Sequence, residues 1–143
     1  MVSGSSRAYK LQLSDEGVAL FLRCHDRMCR AVGDLLPYGS TLLVAVTLLH
    51  RGTAEEAASV LLEASLDRLG GKKIRYVGTS CALSDLIEEL AQKIFQTGSM
   101  ATRPQVWKLF LAAIFFMQEA TDAEIVRCYR SAGLTMRMDR SER

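Results

Sequence analysis

Histidine is scarce in this 143-residue chain, which has two, His25 and His50. A nucleophilic serine or cysteine needs a positioned base. Neither histidine sits in a pattern that would supply one, and no nucleophile-elbow glycine pattern surrounds any Ser or Cys. The four cysteines, Cys24, Cys29, Cys81 and Cys128, form no Cys-x-x-Cys pair. A zinc site would want more nitrogen and sulfur ligands than these. Three of the cysteines sit in apolar helical patterns, and buried, reduced thiols are expected. No excess of one charge exists either. The net charge of +2 is too small for a dedicated electrostatic nucleic-acid binder. The longest apolar run, Leu109 to Met117, is nine residues, far short of the ~20 that span a bilayer. Met1 to Ser6 is small and polar, without a targeting stretch, so a cytoplasmic location is expected.

The chain does have enough apolar material for a core. Its hydrophobic fraction is 49% and its charged fraction 24%, which excludes a wholly disordered chain. A single domain of this length buries roughly 70% of the surface its unfolded chain exposes. A flexible N-terminus over 1–13, a helical domain over 14–134 and a flexible C-terminal tail over 135–143 are expected.

The helical domain reads as an all-α bundle of five or six helices. Ser14 with Asp15 and Glu16 is a helix start, with acidic residues where the helix dipole favours them. Val18, Phe21, Leu22, Met28, Cys29, Val32, Leu35 and Leu36 then recur with a helical period. Pro37-Tyr38-Gly39 stops this first helix, which is expected over Asp15 to Leu36. Leu42 to His50 is apolar on every side. Its β-branched residues would also suit a buried strand, but no comparable partner strand stands out, and a short buried helix capped by Ser40 is favoured.

Thr53-Ala54-Glu55-Glu56 is a capping box and opens a third helix to about Leu69, ended by Gly70-Gly71. Lys72 to Thr79 alternates Ile74 and Tyr76 with Lys73 and Arg75. One extended segment makes no sheet, so a loop is favoured. A fourth helix starts near Ser80 or Ser84, with Leu83, Leu86, Ile87, Leu90, Ile94 and Phe95 on one face. Thr102-Arg103-Pro104 opens a fifth, about 104–120, apolar nearly all round and expected at the centre. Thr121-Asp122-Ala123-Glu124 is a second capping box. It starts a sixth helix that is expected to stop at Gly133.

Carboxylates such as Asp15, Glu56, Asp122 and Glu124 fall at helix starts, where capping accounts for them. Gly70-Gly71-Lys72-Lys73 lacks the spacing and preceding strand of a phosphate loop. No catalytic residue, metal ligand or cofactor is therefore assigned, and a non-enzymatic role is expected. Basic residues gather at Lys72, Lys73 and Arg75 and again at Arg127 and Arg130 toward the C-terminus. They are the candidate contacts in an alternative reading as a nucleic-acid binder.

Cys29-Arg30-Ala31-Val32-Gly33-Asp34-Leu35-Leu36 resembles the short death motif of the B-cell-lymphoma (Bcl) family of apoptosis regulators. That motif runs apolar-x-x-apolar-Gly-Asp-x-apolar on an amphipathic helix. The order of the fourth and fifth helices is also similar to the groove-forming helices of that family. The family's Asn-Trp-Gly-Arg signature is absent, and Cys29 stands where its motif has leucine. The resemblance implies a helical bundle whose surface groove binds a partner's amphipathic helix. Val32, Leu36, Leu86, Leu90 and Trp107 would line that groove, with Arg103 standing in for the signature arginine. The leading expectation is thus a protein-interaction module. A self-associating subunit, such as a homo-dimer within a larger assembly, is the remaining alternative.

Overall fold

In the computed structural model, which describes residues 6–141 and side chains as far as residue 132, the chain is mostly helical with one small sheet. The elements in order are β1 (Ser6–Leu13), α1 (Asp15–Val32), α2 (Tyr38–Arg51), α3 (Ala54–Leu61), β2 (Lys73–Ser80), α4 (Ala82–Phe95), α5 (Val106–Met117) and α6 (Asp122–Ser141), with a 3-10 turn at Ala64–Arg68.

Local chemistry explains most of the helix ends. The Ser14 hydroxyl accepts the Gly17 amide at 3.1 Å and starts α1 where the sequence predicts. Both capping boxes form. The Thr53 amide donates to Glu56 Oε1 at 2.9 Å while the Glu56 amide donates to Thr53 Oγ1 at 3.0 Å. Thr121 and Glu124 repeat the exchange at 2.8 and 3.1 Å. Each box satisfies two donors that the first turn leaves without helical partners.

Four helices differ from their expected spans. α2 starts at Tyr38, with Pro37 in the N-cap position and no side-chain cap, so Ser40 lies inside the helix instead of capping it. α1 ends at Val32 rather than Leu36. Gly33 turns left-handed at φ 84° and donates its amide to the Cys29 carbonyl, the usual glycine stop. α3 ends at Leu61, and the chain to Leu69 continues as the tighter 3-10 turn. α6 runs through Gly133 to Ser141, so the expected stop at 133 gives way to helix, as does the expected tail over 135–141, its last two residues lying outside the described ones.

The all-α expectation is corrected by β1 and β2, which pair antiparallel from Ser6↔Ser80 to Leu13↔Lys73. Strand β1 thus replaces the flexible segment expected over 1–13, of which residues 1–5 lie outside the described ones, and β2 replaces the loop expected over 72–79. On β1 the alternation is regular: Tyr9, Leu11 and Leu13 are buried, with Lys10 and Gln12 on the opposite face. On β2 the apolar residues divide between the two faces. Val77 and Thr79 are buried, whereas Ile74 and Tyr76 are 38% and 68% exposed.

α2 and α5 pack on each other and form the centre. Every residue from Thr41 to Thr47 and from Leu109 to Ile114 is buried, so α2 is the buried helix that the sequence favoured over a strand. α5 also meets α1, α3, α4 and β1. The Tyr9 ring stands edge-on to Phe110 at 6.1 Å. β2 reaches the core through α2, whose Gly39 lies directly against the Gly78 carbonyl.

Candidate functional site

The surface around β2 and α1 gathers side chains that the core does not use. A cleft of about 280 Å³ lies there, lined by Leu11 and Leu13 of β1, Arg75, Tyr76 and Val77 of β2, Val18, Phe21 and Leu22 of α1, and Tyr38 of α2. Leu11, Leu13, Phe21 and Val77 are core residues, while Leu22, Tyr38 and Tyr76 are 46%, 54% and 68% exposed. Large apolar groups that stay in water cost free energy unless something covers them. Leu22 and Tyr38 converge on the cleft, and Tyr76 borders it from the strand while its side chain, paired with Lys10, lies on the other face of the ribbon. Exposed apolar groups gathered at one apolar cleft are the pattern of an interaction surface rather than of scattered surface residues.

Each wall has a reason to be where it is. Leu11 and Arg75 are directly opposed across the ribbon and so share a face. That register carries the arginine out beyond the buried Val77 to the lip of the cleft. Its guanidinium donates to the Ile74 carbonyl at 2.8 Å and meets no carboxylate among the described residues. Lys73 differs, because it pairs with Asp15 of α1 at 3.0 Å. Tyr38 is held by rings on α1, with Phe21 at 6.0 Å and His25 at 4.6 Å between centroids.

His25 is the hub of that corner. Its Nδ1 bonds Thr41 Oγ1 at 2.7 Å, and its Nε2 lies 3.6 Å from Cys29 Sγ. Burial holds the imidazole below its ordinary pKa, against the opposing charge of Asp26. A cysteine and a histidine spaced i, i+4 share a helix face, so this contact follows from α1 itself. It ties α1 to α2. The buried Cys24 and Cys128 thiols have raised pKa values, first through desolvation, which makes them poor nucleophiles.

A second and larger hollow, about 490 Å³, lies between α2, α3, α5 and α6. Glu56 and Glu124 on its wall are already committed to the two capping boxes, and Arg51 donates to Ser131 at 2.9 Å. Charged groups committed to structure in this way do not converge on an acid–base pair. Among the described residues no group of three or more His, Cys, Asp or Glu is placed to hold a metal ion. No helix among them is long and apolar enough to cross a membrane.

The residues that the sequence nominated for partner binding fall in separate places. Leu90 is fully buried in the core, and Leu86, Val32, Leu36 and Trp107 are half-buried against it. Arg103 donates to the Glu88 carboxylate at 2.9 Å and to its carbonyl at 3.1 Å, which brings it to the α4 helix that carries Leu86 and Leu90. The Trp107 indole donates to Gln105 at 2.8 Å. Val32 is instead the last residue of α1, which packs on α6, α5 and α2 and shares no substantial contact with α4, and Leu36 lies in the loop between α1 and α2. Gly33 and Asp34 lie in the turn after α1 rather than within it.

The alternative nucleic-acid residues also divide. Lys72, Lys73 and Arg75 lie at or before the start of β2, whereas Arg127 and Arg130 lie on α6, with which β2 shares no substantial contact.

Arg75 is the one nominated residue that lines the cleft. Leu11, Leu13, Leu22, Tyr38 and Tyr76 were missed. Leu11, Leu13 and Tyr76 carry a signal in the alternating segments 9–13 and 73–77; Leu22 reads as one more residue of the apolar helix face and Tyr38 as part of a helix stop.

No family model matches this chain, and no curated protein or solved structure matches it at a significant level.

Proposed function

We propose that this chain is a non-catalytic protein-interaction module that docks an apolar, carboxylate-bearing segment of a partner protein in the cleft between β2 and α1. One observation carries the reading: Leu22 and Tyr38 stand exposed on a single apolar cleft floored by Leu11, Leu13, Phe21 and Val77. Anchor pockets at protein interfaces combine these properties, with a desolvated apolar floor, aromatic walls and a polar rim. At about 280 Å³ the cleft lies just under the roughly 300–1,000 Å³ usual for small-molecule sites, a size suited to the anchor side chain of a larger ligand. Arg75 on the rim lacks an acidic partner within the described residues, and a carboxylate on the ligand supplies one. The partner class is the one that the death-motif resemblance implies, a protein segment, received at a different surface.

Peptide display against the full chain tests this. Selected peptides are expected to bind the wild type and to lose binding to Leu22→Arg and Tyr38→Ala, which alter exposed positions. Selected peptides that bind both variants as well as the wild type would refute the cleft as the docking surface.

A further inference from the structure

The cleft lies beside a strand edge, and that edge decides how a ligand would sit. β2 pairs with β1 on one side only. On its other side the α2 start covers Gly78 and Thr79, through the close approach of Gly39. From Lys73 to Tyr76 every residue is exposed, and among the described residues no backbone hydrogen bond reaches β2 from outside the ribbon.

The outward-facing backbone groups can be identified. In an antiparallel ladder alternate residues turn both N–H and C=O away from the partner strand. The Gly78 oxygen meets α2, and the Ile74 oxygen accepts the Arg75 guanidinium. Both face away from β1, which places Ile74, Tyr76 and Gly78 in the outward set. Ile74 and Tyr76 thus form an open edge directly above the cleft.

We infer that the partner segment binds as an added β-strand along Ile74–Tyr76, with an apolar side chain in the cleft and a carboxylate on Arg75. This inference rests on the cleft being the docking surface. A groove between an edge strand and a helix accepts an extended peptide in this way: main-chain bonds give affinity, and pockets for alternate side chains give specificity. On binding, a ligand amide replaces the guanidinium at the Ile74 carbonyl, and the freed guanidinium turns to the carboxylate. In the unbound chain the Arg75 contact caps the edge acceptor, one of the ways charged side chains protect open edges.

Charge selects the occupant. Two copies paired edge to edge would set Lys73 and Arg75 of one strand beside those of the other, and like charges across strands repel. An acidic segment has no such conflict. The geometry also sets its spacing. Positions i and i+2 share a strand face, so the anchor and the carboxylate must lie two residues apart. A helix would instead present them at a separation of three or four.

The probes are eight-residue peptides of serine and threonine with one phenylalanine and one glutamate, separated by one, two, three or four positions. Each is titrated into the isotope-labelled full chain by nuclear magnetic resonance. The spacing of two is expected to bind best, by about fivefold over the spacing of one. That advantage should vanish in Arg75→Gln and when lysine replaces the glutamate. N-methylation of alternate ligand amides should abolish binding in one register and spare it in the other. A preference for three or four, still lost in Leu22→Arg, would overturn the strand mode while leaving the cleft in place. Binding that Leu22→Arg does not weaken would overturn both. Equal binding at all spacings, or none by any peptide at 2 mM, would overturn the strand mode. So would a dimer of the free chain that a Tyr76→Pro change dissociates.

Discussion

Gly39 at the start of α2 lies so close to Gly78 of β2 that a Cβ on Gly39 would overlap the Gly78 carbonyl oxygen and come within 2.8 Å of Thr79 Cβ. This contact seats the ribbon on the central helices. Gly39→Ala is therefore expected to destabilise the fold by about 1–3 kcal/mol, the usual cost of overpacking. Gly78→Ala is the control, since a Cβ there meets only the Arg7 carbonyl oxygen at 4.0 Å. Urea unfolding of the two variants checks the pair, and equal losses would contradict the seating role.

His25 gives the fold a pH dependence of known sign. Burial lowers its pKa in the folded chain, so in the window between the lowered value and about 6.5 the unfolded chain binds more protons. This contribution to stability is complete above pH 6.5 and is lost as the pH falls through that window. His25→Gln should flatten the slope of the unfolding midpoint between pH 7 and pH 5. An unchanged slope would assign it to other groups.

Arg27 of α1 closes the turn between α5 and α6. It pairs with Asp122 at 2.8 Å and donates to the carbonyls of Met117, Gln118 and Ala120. A lysine cannot reproduce such a fork of donors. Arg27→Met is expected to cost about 1.5–3 kcal/mol, the range for hydrogen bonds to charged groups. Arg27→Lys should recover less than half of the loss in thermal unfolding.

Leu90 and Leu35 separate core from surface. Leu90 is fully buried and Leu35 is 95% exposed. Leu90→Ala should cost about 2–5 kcal/mol in chemical denaturation. Leu35→Ala should lie within about 0.5 kcal/mol of the wild type.

The elements legible in the sequence are those made by neighbours along the chain. Thr53 with Glu56 and Thr121 with Glu124 are three residues apart, and their hydrogen bonds need nothing from the rest of the molecule. The run Leu109 to Met117 is so apolar that burial follows from composition. Leu35 and Leu36 continue the helical spacing past Gly33, so spacing alone carries α1 beyond its true end at Val32. The left-handed turn at Gly33 breaks that spacing, and Leu35 then points into water.

The sheet and the cleft depend on partners distant in sequence. Nothing local to Ile74 and Tyr76 says that they face outward. Their orientation is set by the pairing of Leu11 with Arg75 and of Tyr9 with Val77, and a shift of one residue would exchange the two faces. The cleft inherits this dependence, since its walls come from both strands and two helices. Arg75 stood out as a basic residue, but its place on the rim follows only from the cross-strand register.

The most direct test of the cleft is backbone chemical-shift mapping with a peptide selected by display, or with the phenylalanine–glutamate peptide of spacing two. The account predicts that the largest changes fall on Leu22, Tyr38 and Ile74 to Val77, with little change on α4. Changes centred on Leu86, Trp107 and the neighbouring surface of α4 and α5, with Leu22 and Tyr76 unmoved, would contradict it.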